Sequence, residues 1–162
     1  MIVISDTSPI NYLVLIDEIE LLPKLFGEVI VPPEVAKELK HPAAPQKVKQ
    51  WIASPPQWLE IRPASFIDPT IQLDAGETAA ISLALEINAD QLLLDDKKAV
   101  RVAIARGLGV AGTLNILELA AIKGWIDLPI VIAKLQQTNF RALAELIQKL
   151  LDEDAQRKQQ VS

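Results

Sequence analysis

The sequence predicts an α/β protein, a three-layer α/β/α sandwich whose central sheet is mainly parallel. Two observations favour this fold. Short apolar segments with the character of strands alternate along the chain with helical segments, and half of the 162 residues are hydrophobic, which is enough for a sizeable core. Strands that are apolar throughout are typical of a parallel sheet covered by helices on both faces.

The predicted elements alternate in order. The strands are MIVIS, EVIV, WLEIR and QLLL, with a further strand ending near GVAG. The first helix, SPINYLVLID, is expected to begin with Ser8 as N-cap and Pro9 at its first position, and the second, IELLPKLF, is expected to be interrupted by Pro23. The remaining predicted helices are PPEVAKELK, QKVKQWIA, 75–86, KKAVRVAIARG, TLNILELAAIKG, PIVIAKLQQ and FRALAELIQKLLDEDAQ. A single domain is expected over 1–152, followed by a frayed tail over 153–162.

Composition excludes several classes of protein. There is no cysteine and only one histidine, His41, which argues against zinc, iron–sulfur and haem sites. Any metal must therefore be held by oxygen, which favours Mg²⁺ or Mn²⁺. No apolar run approaches the roughly 20 residues of a membrane span, and MIVISD lacks the features of a secretory signal, so a cytoplasmic protein without membrane contact is expected. No P-loop motif is present.

The stretch LLLDD places two aspartates directly after an apolar strand. Ligands of parallel sheets bind at the carboxyl ends of the strands. Asp6 follows the first strand and Asp95 and Asp96 follow QLLL, so these acids are expected at one edge of the sheet. Glu38 lies one turn into the helix after EVIV, and Glu77 opens the helix 75–86, which is apolar nearly all round and therefore predicted to be buried.

Each acid also has a purely structural interpretation. Asp6 could cap a turn, and Glu38 could be a solvated helix residue. The stretch from Asp74 to Glu77 fits a capping box with Asp74 as N-cap, and one residue of the Asp95–Asp96 pair could be the N-cap of the next helix. If the acids lie close to one another, however, they repel. Two like charges about 4 Å apart repel by roughly 4 kcal/mol at an effective dielectric constant of about 20. Convergence of these acids would therefore require bound cations, shared protons or basic neighbours.

Four motifs in order resemble the PIN-domain family, and most closely its prokaryotic toxin–antitoxin (VapC-type) nucleases: VISDTSPI, VPPEVAKEL, LDAGETAAISLAL and LLLDDKKAVRVA. The resemblance covers roughly residues 1–125. It implies a catalytic set of Asp6, Glu38, Glu77 and Asp95, with metal ligands among Asp6, Glu77, Asp95 and Asp96. Asp95 is favoured over Asp96, which is better placed to cap the following helix. The family often has aspartate where this chain has Glu77.

The resemblance also implies an activity and partners. PIN domains of this kind are Mg²⁺- or Mn²⁺-dependent ribonucleases, so cleavage of single-stranded RNA is expected, along with a homodimer and a basic antitoxin partner that inserts Arg or Lys among the acids. The net charge of −5 is compatible with such a partner. The alternative is a PIN-like binding module without turnover. Possible substrate contacts, each with a local capping or solvated-surface alternative, are Thr7, Ser8, Lys98, Arg101 and Thr113.

Overall fold

The computed structural model describes residues 1–161 and contains a five-stranded sheet flanked by helices. Every paired strand is parallel, so the predicted α/β/α sandwich is confirmed, with a sheet that is wholly rather than mainly parallel. The sheet order is β3-β2-β1-β4-β5. The strands are β1 (Val3–Ser5), β2 (Val29–Val31), β3 (Leu59–Ile61), β4 (Gln91–Leu93) and β5 (Val110–Ala111).

The helices agree with the predicted ones in number and order within the described residues. They are α1 (Thr7–Leu15), α2 (Leu21–Phe26), α3 (Pro33–Leu39), α4 (Gln46–Ala53), α5 (Ala75–Glu86), α6 (Lys97–Ala105), α7 (Thr113–Ile122), α8 (Leu128–Gln136) and α9 (Ala144–Val161).

Three details of the helix predictions are wrong. Asp6, not Ser8, occupies the N-cap position of α1, so Ser8 lies inside the helix. Pro23 does not interrupt α2, because it is the third helical residue and the N–H that proline lacks has no partner in the first turn anyway. The last helix begins at Ala144 instead of Phe140.

The chain divides into two compact units, Met1–Thr113 and Leu114–Ser162. The first unit holds the sheet and α1 to α6, and the second holds most of α7 together with α8 and α9. The single domain over 1–152 stays a prediction, while α9 is helical through Val161, within the stretch expected to fray. Among the described residues, no helix combines the length and the apolar character that a membrane crossing requires.

The core of the first unit is built on the central strands. Leu92, Leu93 and Leu94 are almost completely buried, as the apolar run in LLLDD predicts. The helix α5 is buried along its length from Thr78 to Ala84, because its side chains are small or apolar on all sides. It packs against β1 and β4 and contacts α3, which brings its first turn to the carboxyl edge of the sheet.

The strand order places a topological switch point between β1 and β4 at that edge, and this position is called the crevice below. From β1 the chain first builds outward through β2 and β3, then returns to the other side of β1 to form β4 and β5. Connections after β1 and β4 therefore leave the sheet in opposite directions, which is where α/β proteins bind ligands. Ser5 is paired with Leu93, and the N–H of Asp6 donates to the carbonyl of Leu93 at 2.9 Å. The crevice thus begins at Asp6.

Candidate active site

Asp6 is a buried carboxylate at the carboxyl end of β1, where the crevice begins. Its side chain is only 5% exposed, and its Oδ1 has no hydrogen-bond partner among the described residues. Burial, together with the negative charges of Glu77, Asp74 and Glu38, raises the pKa of Asp6 to about 8, although the N–H of Thr7 opposes the shift. Three other acids therefore lie within electrostatic reach of Asp6, and two of them, Glu38 and Glu77, belong to the catalytic set that the family resemblance implies.

Glu38 is held in place by groups from two other helices. Its Oε2 accepts a short hydrogen bond from the hydroxyl of Thr7, and its Oε1 accepts from the N–H of Gly76 at 3.1 Å. A Cβ at position 76 would lie 2.5 Å from Oε1, so only glycine leaves room for the carboxylate. Glu38 therefore ties α3 to the first turns of α1 and α5, and it is not a solvated surface residue.

Glu77 combines a capping role with a perturbed titration. Asp74 is the N-cap of α5 and its Oδ1 accepts from the N–H of Glu77 at 2.8 Å, as the capping-box interpretation predicts. Burial, together with the charges of Asp74 and Asp96, raises the pKa of Glu77 to about 7. The capping box thus holds Glu77 near both Asp6 and Asp96 without neutralising it.

The aspartate doublet divides its roles. Asp96 is the N-cap of α6 and accepts from the N–H of Ala99 at 3.0 Å, so the expected capping role is confirmed. Asp95 accepts from the N–H and from the hydroxyl of Thr113, both at 2.7 Å. Burial raises the pKa of Asp95, although the two bonds from Thr113 oppose the shift. Asp95 is thereby fixed to the start of α7.

The other candidates differ in their availability to a substrate. The hydroxyls of Thr7 and Thr113 are directed to Glu38 and Asp95, so both residues position carboxylates. Ser8 is half-buried in the first turn of α1, and Lys98 and Arg101 are exposed on α6. A role of these last three residues in binding substrate stays a prediction.

Sequence reasoning missed three residues of the site. The sequence predicts Asp74 only as a helix cap, although its charge raises the pKa of both Asp6 and Glu77. Its position three residues before Glu77 could have placed it in the same pocket. Gly76 contacts Glu38. Burial is the larger cause of a raised pKa of the Tyr12 hydroxyl, but Tyr12 also lies close enough to Asp95 for the charge of Asp95 to raise that pKa. Neither contact leaves a signal in the sequence.

The site fits a divalent cation only in part. No group of three or more His, Cys, Asp or Glu side chains in the described part of the chain is arranged to hold a metal ion. The free, buried Oδ1 of Asp6 is nevertheless a carboxylate oxygen in need of a cation or a proton, and Glu77 is the largest charge contributor to its raised pKa. Mg²⁺ is commonly bound by one or two carboxylates, with water and phosphate oxygens as its other ligands. A pair formed by Asp6 and Glu77 suits that mode.

An all-parallel sheet with a crevice of carboxylates at its switch point defines an α/β protein whose site offers only oxygen ligands. A family model described as a PIN domain matches residues 2–156, and the chain belongs to the PIN-domain family. PIN domains are in general nucleases and usually use divalent metal ions. Among curated proteins, none matches this sequence.

Proposed function

We propose that this protein is a metal-dependent endoribonuclease that cleaves single-stranded RNA. The observation that carries the proposal is the state of Asp6: a buried carboxylate with an unpartnered oxygen, surrounded by acids whose charges raise its pKa. A group in that state gains from a bound cation, because the cation removes both the repulsion and the unmet need for a partner. The PIN-domain family supplies the reaction class.

The residues of the crevice have distinct roles in this proposal. Asp6 and Glu77 would hold Mg²⁺ or Mn²⁺, which when bound lowers the pKa of water and stabilises charge on a phosphate under attack. Glu38 and Asp95 are oriented by Thr7, Gly76 and Thr113. These fixed bonds keep the negative charges in place before substrate arrives, so that little reorganisation is needed in the transition state.

Cleavage of labelled single-stranded RNA with Mn²⁺ or Mg²⁺, and with EDTA, tests the proposal. Asp6→Asn and Glu77→Gln should each lower the rate at least about a hundredfold, the size of effect seen when one electrostatic contact to the reacting group is removed. Glu20→Gln is the matched control, since Glu20 is exposed and lies at the start of α2. Cleavage that persists in EDTA, or in both site variants, would overturn the assignment.

The alternative of a binding module without turnover is separable by calorimetry. Mn²⁺ titrated into the native protein should give a saturable heat signal, and that signal should vanish in Asp6→Asn. Metal binding without cleavage of any RNA at saturating Mn²⁺ would favour the module. The absence of both metal binding and cleavage would exclude a metal-dependent nuclease.

We also propose a homodimer and a basic antitoxin segment as partners. Within the second unit several large apolar side chains are exposed, and a dimer interface would remove such surface from water; they are Leu119, Ile122, Trp125, Ile130, Leu143 and Leu146. Light scattering would test the dimer, and a mass of 17.8 kDa in solution would contradict it. The acidic crevice is complementary to an Arg- or Lys-rich segment, and such a peptide should inhibit cleavage.

A further inference from the structure

A groove of about 450 Å³ lies beside α3 in the first unit. The residues that line it are apolar or basic, and they include Pro33, Ala36, Ile61, Lys37, Lys40 and His41. None of the lining residues in this described part of the chain is acidic. The net charge of the protein is −5, so a groove whose charged side chains are all basic is a marked local reversal of charge.

The groove and the acidic crevice lie on different sides of one helix. Positions 33, 36, 37 and 40 recur at helical spacing and so share a face of α3, the face that borders the groove. Glu38 instead reaches Thr7 and Gly76. Lys37 and Glu38 are neighbours in the chain, so the two surfaces are separated by no more than the width of a helix, about 10 Å.

The cations of the groove are available to a ligand. Lys37 and Lys40 are exposed, and neither takes part in an ion pair within residues 1–161. His41 accepts a hydrogen bond at Nδ1 from the N–H of Ala43 at 2.9 Å, which leaves its Nε2 as the ring nitrogen that can donate to a ligand. Lys49 donates to the carbonyl of Pro42, another residue of the lining, at 3.1 Å and brings a further ammonium group to the groove.

We infer that this groove binds the phosphates of the RNA strand that flank the scissile bond, an inference that rests on the nuclease function proposed above. A strand whose scissile phosphate lies in the crevice is repelled there by several carboxylates, so its neighbouring phosphates need cations within a short distance. Lys37 and Lys40 supply two point charges suited to phosphate oxygens. The apolar side chains of Ala36 and Ile61 offer contact area to ribose and base.

Salt dependence of RNA binding tests the groove without any cleavage. Fluorescence anisotropy of a labelled single-stranded RNA is measured in EDTA, from about 50 to about 200 mM salt. The variant is Lys37→Gln/Lys40→Gln. The matched control is Lys134→Gln/Lys149→Gln, which removes the same number of charges from exposed positions on α8 and α9. Thermal unfolding of both variants checks that they remain folded.

Each phosphate contact with a single strand contributes about 0.7 to the slope of log K against log salt, so losing two should reduce the slope by about 1.4. The ratio of the native affinity to that of the groove variant should then fall about sevenfold as the salt concentration rises about fourfold. The control variant should keep the native slope. An unchanged slope in the groove variant, or equal losses of RNA affinity in both variants, would overturn the inference. A groove variant that lost self-association instead of RNA affinity would indicate a protein contact and would also overturn it.

The outcome is independent of the proposed activity. If the slope falls while the native protein cleaves no RNA with Mn²⁺, the groove is a nucleic-acid site and the nuclease proposal fails. If the native protein cleaves RNA and the slope is unchanged, the groove inference fails alone.

Discussion

Replacing Asp6 with asparagine should stabilise the metal-free protein, and the gain should grow as the pH rises. The carboxyl group has a reference pKa of 3.8, whereas burial and neighbouring acids raise its pKa to about 8 in the folded protein. Between these two values the folded protein keeps a proton that the unfolded chain has released. Stability therefore falls as pH rises through this window. Asparagine has no such proton, so the variant lacks this loss.

The magnitude follows from the width of the window. Each pH unit changes the free energy of unfolding by about 1.4 kcal/mol for one proton, so Asp6 should cost the native protein about 3 kcal/mol between pH 5 and pH 7. For a chain of this length, 1 kcal/mol corresponds to about 2–4 °C in Tm. The gap in Tm between Asp6→Asn and the native protein should thus widen by about 6–12 °C over that pH range.

Thermal unfolding in EDTA at pH 5, 6 and 7, followed by circular dichroism, measures this gap. Asp152→Asn is the control, because Asp152 is exposed on α9 and its Oδ1 accepts a bond from Gln148 at 2.9 Å. Its curve should run parallel to the native one. Excess Mn²⁺ should then raise the Tm of the native protein much more than that of Asp6→Asn. Parallel pH curves for Asp6→Asn and the native protein would refute the argument that Asp6 is a buried, unpartnered acid.

Two further substitutions test the bonds that orient the acids. Gly76→Ala should lower RNA cleavage without unfolding the protein, because the new Cβ displaces the carboxylate of Glu38 while alanine favours the helix; full activity would show that the position of Glu38 is unimportant. Thr113→Val should cost about 1–3 kcal/mol in urea unfolding at pH 7, since Asp95 loses a hydroxyl donor in a buried setting. Thr113→Ser keeps the hydroxyl and should be close to native, and equal losses in both would contradict the role.

Much of the fold is predictable because its signals are local. The helices Gln46–Ala53 and Ala75–Glu86 have the predicted bounds, since proline or aspartate marks each start and the apolar pattern ends where the helix ends. The predicted N-cap of α1 is wrong because of a contact between distant segments of the chain. Asp6 has the extended backbone of an N-cap, but its side chain is buried in the crevice and makes no cap bond, whereas the sequence offers Ser8 as an equally good cap.

The site is less predictable than the fold. The placement of Asp6, Asp95 and Asp96 at one edge follows from the rule for parallel sheets. The partners of the acids do not, because they depend on register and helix packing between distant segments. Asp95 is bonded to a residue 18 positions later, and Glu38 is bonded to a residue 38 positions later. No local pattern in the sequence encodes either pairing.

The central position of β1 has a consequence for biosynthesis. Strand β1 is made first, but its neighbour β4 ends at Leu93 and the partner of Asp95 comes at Thr113. At translation speeds of about 5–20 residues per second, roughly 5–22 seconds separate the synthesis of Ser5, the end of β1, from that of Thr113. During that interval the acids of the site have not yet been brought together. The complete site therefore forms only after most of the chain has been synthesised.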